Sequence, residues 1–131
     1  MSKLNFIGGN RLQLLHTGEQ FFESLLQQFA LATHDIFLET YIFSDDESAQ
    51  EIQDALCLAA KRGVDVRVVI DWIGCGDAHA NKLKKQLELE GVACRIFNPW
   101  FKRGLARTHR KLCVIDQQLA YIGGINIIDD L

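Results

Sequence analysis

The segments IFLETYIF, residues 36–43, and VDVRVVI, residues 64–70, are rich in β-branched and aromatic residues. Each segment has the length and composition of a strand, and the first, interrupted only by Glu39 and Thr40, is predicted to be buried on both faces. Between them, Asp45 and Asp46 offer N-caps for a helix whose apolar pattern continues to a stop at Gly63. A strand, a helix and a strand in this order form a crossover that makes the two strands parallel. The pattern therefore predicts an α/β fold.

Three further segments continue this alternation. Apolar residues recur at three- and four-residue steps from Glu19 to Ala32, which predicts an amphipathic helix before the first strand. Asp77 is predicted to cap a third helix from Ala78 to Glu90, and the β pattern returns from Val92 to Phe97. A short strand is also predicted from Arg11 to Leu15.

The last part of the sequence breaks the parallel pattern. Two short apolar runs, Lys111 to Ile115 and Leu119 to Ile122, are separated by three polar residues that can form a hairpin turn, namely Asp116, Gln117 and Gln118. We therefore expect one domain over residues 1–131, built on a mixed, mainly parallel sheet with helices packed against it.

Composition and charge limit the possible functions. The 131 residues are 48% hydrophobic and 24% charged, which is typical of a folded globular domain. The net charge of −3 gives no overall attraction to nucleic acid. Between Phe101 and Lys111, however, there is no acidic residue and there are five basic ones: Lys102, Arg103, Arg107, Arg110 and Lys111. This run is interpreted either as a solvated loop or as an anion site.

The sequence argues against a zinc protein and against an integral membrane protein. Its four cysteines form no C-x-x-C pair, and no metal or other cofactor is expected. No apolar run approaches the roughly 20 residues that cross a bilayer, and residues 1–5 show no signal-peptide pattern. We expect a cytoplasmic chain that can still act at a membrane surface.

The segment THRKLCVID, residues 108–116, carries the pattern H-x-K-x4-D. After six residues it continues with G-G-x-N, which contributes Gly123, Gly124 and Asn126. Each part is common alone, but the complete string on a strand that leads into a Gly-rich turn is specific. Side chains two residues apart on a strand point to one face, so His109 and Lys111 can contact one phosphate together.

A histidine beside a lysine suits phosphodiester chemistry. An imidazole can attack phosphorus, and an imidazolium can protonate a leaving alkoxide. Donors on Lys111 and Asn126 would stabilise the negative phosphoryl oxygens, and Gly123 and Gly124 would let backbone amides approach them. We predict His109 as nucleophile or acid/base group, and the alternative is a hydrogen-bonded structural histidine.

Three carboxylates each have two interpretations. Asp116 has the opposite parity to His109 along a strand, so it is either a catalytic residue or a turn residue. Glu39 interrupts an apolar strand, so it either faces the substrate site or forms an ion pair with a neighbouring Arg or Lys. Asp71 follows a strand at the edge where open α/β sheets bind ligands, or else it caps a loop.

The string H-x-K-x4-D-x6-G-G-x-N resembles the signature of the phospholipase D superfamily. The order of elements resembles the N-terminal half of bacterial cardiolipin synthases of the shorter type that lacks N-terminal membrane spans. Four stretches carry this likeness: GGNRL at 8–12, LETYIF at 38–43, VRVVID at 66–71 and GGIN at 123–126. The resemblance implies a phospholipase D-like α/β/α sandwich, whose sheet is flanked by helices.

The same resemblance implies a phosphatidyltransferase without a metal. A histidine attacks the lipid phosphodiester, a phosphatidyl-histidine forms, and phosphatidylglycerol serves as both donor and acceptor. By matching positions, His109 would be the nucleophile or its acid/base partner, and Lys111 and Asn126 would hold the phosphate. The lipid partner would place the protein peripherally on the inner face of a bacterial cell membrane.

Relatives of this kind have two such motifs, in one chain or in two subunits, which meet at a shared site. An acidic residue on a later strand orients the histidine, and Asp129 and Asp130 lie too close to Asn126 to be its equivalents. We therefore expect a truncated half that needs a second half or a second copy of itself. The alternatives are a dimeric nuclease of the same superfamily, disfavoured by the net charge, and a non-catalytic half that binds a partner or anionic lipid.

Trp100 and Phe101 stand directly beside Lys102 and Arg103. Aromatic residues next to basic ones are typical of sites that bind the interface of an anionic membrane. The alternative is that the two aromatic side chains pack on the core.

Overall fold

The computed structural model describes residues 7–129. Asp130, discussed above, and the N-terminal residues 1–5 lie outside this range. The helices and strands are α1 (Gly18–Leu31), β1 (Asp35–Thr40), α2 (Glu47–Lys61), β2 (Asp65–Asp71), α3 (Trp72–Cys75), α4 (Asp77–Leu89), β3 (Ala93–Phe97), a single 3₁₀ turn (Pro99–Phe101), β4 (Leu112–Ile115) and β5 (Leu119–Ile122).

The five strands form one sheet in the order β3-β2-β1-β4-β5. β1 pairs in parallel with β2, and β2 pairs in parallel with β3. β4 pairs antiparallel with β1 and with β5, so β4 alone runs in the opposite direction. The predicted α/β fold with a mixed, mainly parallel sheet is confirmed.

The helices of the described residues cover one face of the sheet. The crossovers from β1 to β2 and from β2 to β3 proceed in the same direction, so α2 and α4 lie on the same side. α1 joins them, because the ring of Phe21 lies 5.8 Å from that of Tyr121. Strand residues that point to this face are buried, for example Ile36, Leu38, Val66, Val68, Ile70, Cys113 and Ile115.

The opposite face of the sheet is more open. Phe37 and Glu39 of β1 are only half-buried, and Arg67 of β2 is exposed. The guanidinium of Arg67 lies over the ring of Phe37 at 5.3 Å. The expectation that the first strand is buried on both faces is therefore wrong for the described residues, because no helix among them packs on this side.

The helix starts follow the capping residues with one exception. Asp46 caps α2 as predicted, since its Oδ1 accepts the backbone N–H of Ala49 at 3.0 Å. Asp77 does not cap α4, because Gly76 occupies the N-cap and Asp77 begins the helix itself. The carboxylate of Asp77 instead accepts the indole N–H of Trp72 at 2.9 Å.

The strand predicted from Arg11 to Leu15 is absent. Residues 7–16 have no regular secondary structure, and Leu12 and Leu14 are 95% and 75% exposed. A short alternating segment forms a strand only where a neighbouring strand pairs with it, and no described strand does so here.

Candidate active site

Two predicted site residues meet just before β4. His109 and Lys111 lie in the segment that precedes the strand, which begins at Leu112. Nζ of Lys111 is 3.2 Å from Nδ1 of His109, and it also donates to the backbone oxygen of His109 at 2.8 Å. His109 is exposed and Lys111 is half-buried. The imidazole and the ammonium can therefore contact the same anion.

A buried threonine fixes the backbone ahead of the histidine. Thr108 is 6% exposed, and its N–H donates to Oδ2 of Asp71 at 2.7 Å. The Thr108 hydroxyl donates to Oε1 of Glu39. Asp71 is itself buried, and its Oδ1 accepts two backbone amides at the start of α3, at 2.9 and 3.1 Å. We call Glu39, Asp71, Thr108, His109 and Lys111 the His109 edge.

Glu39 and Asp71 each combine parts of their two interpretations. Nη1 of Arg110 lies 4.0 Å from Oε2 of Glu39, whose side chain is 21% exposed. Asp71 caps α3, as the loop-cap interpretation has it, and also binds Thr108. Both carboxylates thus act on the residue before His109, and neither is in hydrogen-bond contact with its ring.

The glycine pair lies beside Lys111. Because Leu112 pairs with Ile122, Gly123 follows at the same edge, and its N–H donates to the carbonyl oxygen of Lys111 at 3.3 Å. A Cβ atom added to Gly123 or Gly124 would meet nothing within 4 Å. The N–H of Gly123 is therefore used in pairing with the segment before β4, while the open space around both glycines leaves room for an anion.

Asn126 fastens the chain beside the end of β1. Its Oδ1 accepts the N–H of Ile42 at 3.0 Å, and the N–H of Ile127 donates to the carbonyl oxygen of Ile42 at 3.0 Å. Phe43 and Ile127 form a parallel bridge at the same place. Because Oδ1 is turned to the backbone, Nδ2 is the Asn126 atom that could donate to a phosphate.

Tyr41 and Gly74 belong to the site, although sequence reasoning gave them no role. The ring centroids of Tyr41 and His109 are 4.7 Å apart, and Nζ of Lys111 lies 5.8 Å from the Tyr41 ring. A Cβ atom at Gly74 would lie 2.9 Å from both the carbonyl carbon and the ring Cδ2 of Tyr41. Gly74 therefore permits the close packing that places Tyr41. The glycine at position 74, just after Asp71, was the available sequence clue.

Asp116 lies at the opposite end of β4. Its carboxylate accepts the backbone N–H groups of Thr33, His34 and Asp35 at 3.0, 2.7 and 3.0 Å. These bonds, that of His34 first, lower the pKa of Asp116 to about 2. A four-residue strand separates it from Lys111, which corresponds to roughly 15 Å. This placement supports the interpretation of Asp116 as a turn residue.

The turn between β4 and β5 has the geometry that favours a tight hairpin. Asp116 and Gln117 have φ values of 52° and 56°, and the N–H of Gln118 donates to the carbonyl oxygen of Ile115 at 3.1 Å. Positive φ at both central residues is the type I′ pattern. The predicted hairpin is confirmed.

The basic loop is organised by one asparagine. Asn98 is 5% exposed, and its Nδ2 donates to the carbonyl oxygens of Gly104 and Ala106 at 3.1 and 2.6 Å. Its Oδ1 accepts the N–H of Arg103 at 2.7 Å. The loop therefore has a fixed shape, and it presents its basic side chains to solvent.

Residues 7–129 lack the features of a metal site and of a membrane span. They contain no group of three or more His, Cys, Asp or Glu side chains arranged to hold a metal ion. No helix within this range has both the length and the apolar character of a membrane span.

The chain matches the model of a known protein family. The profile of the family described as "Cardiolipin synthase, PLD-like domain" matches residues 25–130, a range that includes the whole His109 edge. The chain belongs to this phospholipase D-like family.

Curated proteins similar to this phospholipase D-like domain are named cardiolipin synthases. Cardiolipin synthase B of Salmonella typhimurium is 38% identical over 124 residues, which cover 90% of the chain and 30% of that protein. Cardiolipin synthase B of Escherichia coli K12 is 35% identical over 130 residues, which cover 95% and 31%. Cardiolipin synthase 1 of Bacillus anthracis is 33% identical over 123 residues, which cover 90% and 24%. The domain thus spans less than a third of each relative.

Solved structures share the fold. The phospholipase D family member Nuc from Salmonella typhimurium superposes with a TM-score of 0.66 at 24% identity, over 81% of this domain and 64% of that chain. NucT from Helicobacter pylori gives 0.56 at 18% identity, over 84% and 69%. At these identities the likeness concerns the fold alone, and it confirms the expected phospholipase D-like fold, of which residues 7–129 supply the sheet and the helices on one of its faces.

Proposed function

We propose that this domain supplies one half of the active site of a cardiolipin synthase-type phosphatidyltransferase. The observation that carries the proposal is the contact between Nδ1 of His109 and Nζ of Lys111, 3.2 Å apart at an exposed edge beside Gly123. The relatives named cardiolipin synthases support this reaction class, and the family resemblance implies phosphatidylglycerol as both donor and acceptor. The whole of residues 1–131 acts as one such half.

The proposed reaction has two displacements at phosphorus. An imidazole nitrogen of His109 attacks one phosphatidylglycerol, the P–N bond forms, the P–O bond to glycerol breaks, and the alkoxide takes a proton from an imidazolium of the second half. A hydroxyl of a second phosphatidylglycerol then attacks phosphorus, gives its proton to that second imidazole, and releases His109. Lys111 stabilises the negative non-bridging oxygens throughout. The products are cardiolipin and glycerol.

The contacts of His109 leave its ring in need of a further hydrogen-bond partner. A lysine ammonium only donates, so its contact with Nδ1 favours the neutral tautomer that carries its proton on Nε2. For Nε2 to attack, Nδ1 must instead hold the proton and donate it to an acceptor such as a carboxylate. The nearby carboxylates of Glu39 and Asp71 bind Thr108. The acidic residue that relatives carry on a later strand would supply this acceptor, and a second phospholipase D-like half, or a second copy of the domain, would supply the second histidine.

The lipid substrate sets the location. Phosphatidylglycerol resides in a bilayer, so the assembled enzyme works as a peripheral protein at a membrane surface. We place it on the cytoplasmic face of a bacterial cell membrane. Nucleic acid is not favoured as a partner, because the chain has a net charge of −3.

Turnover by a complemented enzyme tests this function. The purified chain is incubated with labelled phosphatidylglycerol, alone and with a separately expressed C-terminal half of a cardiolipin synthase. Labelled cardiolipin should form only in the complemented sample. His109→Ala should abolish it, whereas His16→Ala, which changes another exposed histidine, should leave it intact.

Two outcomes would contradict the proposal. Cleavage of plasmid DNA that is lost in His109→Ala, without any lipid turnover, would favour the dimeric nuclease. Consumption of neither substrate in the complemented sample would favour a non-catalytic half-domain.

A further inference from the structure

A group of apolar side chains projects from the loop that follows β3. Trp100, Phe101 and Leu105 are 66%, 48% and 83% exposed. The rings of Trp100 and Phe101 pack on Trp72, with centroid distances of 5.3 and 5.1 Å. Trp72 is itself only half-buried. The aromatic side chains therefore pack on one another at the surface, and not in the core.

The backbone that presents these rings has an unusual conformation. Asn98, Trp100 and Phe101 have φ values of 52°, 57° and 54°, in the left-handed region that is unfavourable for residues other than glycine. Such conformations persist only where the surrounding structure fixes them, and here the buried amide of Asn98 binds three backbone groups of the loop. The loop is held in a shape that points large apolar groups outward.

The charges next to these rings are positive. Lys102, Arg103 and Arg107 are exposed, and the chain has no acidic residue from position 98 to position 115. Asp77 is the acidic group in contact with the cluster, where it accepts the indole N–H of Trp72. A local positive field thus surrounds the exposed rings, although the whole chain carries a charge of −3.

We infer that this aromatic-basic surface, made of Trp72, Trp100, Phe101, Lys102, Arg103 and Leu105, docks the domain on an anionic bilayer. The apolar side chains enter the interfacial layer, and the two basic side chains contact lipid phosphates. The inference rests on the proposed function and deepens it, because the surface adjoins the His109 edge along the chain on both sides of the Asp71–Thr108 hydrogen bond. Trp72 directly follows Asp71, and the loop leads directly into Thr108 and His109. Docking would therefore bring the edge to the lipid head groups.

Vesicle binding tests this surface. The purified chain is sedimented with phosphatidylcholine vesicles that contain or lack phosphatidylglycerol. Binding should require phosphatidylglycerol, and the double variant Trp100→Ala, Phe101→Ala should bind at least about tenfold more weakly. The double variant Lys102→Gln, Arg103→Gln should bind the vesicles on the order of tenfold more weakly, and its binding should depend much less on salt concentration. Two double variants on the helices serve as matched controls and should bind like the wild type. Leu58→Ala, Leu89→Ala matches the apolar variant, and Lys82→Gln, Lys85→Gln matches the basic one.

A spectroscopic measurement separates docking from misfolding. The chain has two tryptophans, so Trp72→Phe leaves Trp100 as the only indole. Its emission should shift to shorter wavelength on addition of phosphatidylglycerol vesicles and stay unchanged with phosphatidylcholine alone. An unchanged spectrum with anionic vesicles would overturn the inference.

The inference also fails if the wild type binds both vesicle types equally, or if the Trp100 and Phe101 variant binds as well as the wild type. Binding to plasmid DNA in place of vesicles, lost in the same variant, would assign the surface to nucleic acid instead. Failure of the proposed function gives a different result. The chain and its His109→Ala variant would then both bind vesicles normally, while the complemented enzyme produces no cardiolipin.

Discussion

The H-x-K-x4-D motif places polar residues at both ends of β4, and the two ends differ in how these residues are bound. Before the strand, His109 is exposed, and its ring contacts only a tyrosine face and the Lys111 ammonium among the interactions described above. After the strand, Asp116 accepts three backbone amides within 3.0 Å and closes a hairpin turn. One end leaves its polar groups open for a ligand, and the other satisfies them within the fold.

We propose that this difference divides H-x-K-x4-D into a chemical part, His109 and Lys111, and a structural part, Asp116. A strand of four residues holds the two parts at opposite edges of the sheet, so they cannot act on the same substrate atom. Asp116 instead joins the start of β1 to the hairpin, and thereby fixes β1, the strand that carries Glu39 of the His109 edge. Substitutions at the two ends should therefore affect different measurements.

The largest effect is expected for Lys111→Met at the open end. Loss of the ammonium removes the stabilisation of the phosphoryl oxygens and should lower kcat of the complemented enzyme by about 10²- to 10³-fold. The melting temperature should change little, because the side chain is partly exposed, its hydrogen bonds are confined to His109, and its contact with the Tyr41 ring is at 5.8 Å. Lys85→Met on α4 serves as the control and should change neither quantity. Full activity of Lys111→Met would show that the ammonium has no part in the chemistry.

A smaller effect is expected for Gly74→Ala, which acts through packing. The new methyl group would lie 2.9 Å from the carbonyl carbon of Tyr41, so the backbone must shift at a cost of about 1–3 kcal/mol in the free energy of unfolding. Because Tyr41 packs on His109, kcat should also fall, by about tenfold. Gly8→Ala, where an added Cβ meets nothing within 4 Å, is the control. Wild-type stability and activity in Gly74→Ala would disprove the positioning role of Tyr41.

The smallest effect on catalysis is expected for Asp116→Asn. An amide side chain cannot accept all three backbone N–H groups, so chemical denaturation should occur at a lower denaturant concentration. The kcat of the folded, complemented enzyme should remain within about twofold, since Asp116 touches no reacting atom. A loss of kcat comparable to that of Lys111→Met would return Asp116 to the catalytic machinery.

Acid unfolding sharpens the same contrast. The pKa of Asp116 is lowered to about 2 in the folded chain, against about 3.9 for an unfolded aspartate. A lowered folded-state pKa stabilises the protein fully above about pH 4, and this stabilisation is lost as the pH falls towards 2. Denaturant titrations at several pH values should show this loss in the wild type and a shallower one in Asp116→Asn. Identical pH profiles would contradict the assignment.

The sequence predicted most of the architecture because periodicity and caps act locally. Asp46 caps α2, and the polar triplet after Ile115 forms the hairpin turn. The strand predicted near Leu12 failed because an alternating pattern cannot report whether a neighbouring strand exists. The predicted strand over residues 36–43 was also too long, because β1 ends at Thr40. The β-rich composition of residues 41–43 could not report that the chain leaves the sheet there.

The candidate site was predictable only where residues are close in sequence. His109 and Lys111 are two positions apart, so alternation along a strand suggested their contact, which the structure shows although both residues precede β4 and neither lies on a strand. Thr108, Tyr41 and Gly74 were missed because their roles depend on contacts across 30 or more residues. Parity raised the question about Asp116, but only the fold showed that its oxygens bind the start of β1.

The central claim is that His109 is the nucleophile of a half-site. The most direct measurement is rapid quenching of the complemented enzyme during turnover of labelled phosphatidylglycerol, followed by peptide mass analysis. We predict an acid-labile phosphatidyl group on the peptide that contains His109, and none in His109→Ala. Sustained cardiolipin formation with no label on His109, or with the label on another residue, would contradict the account.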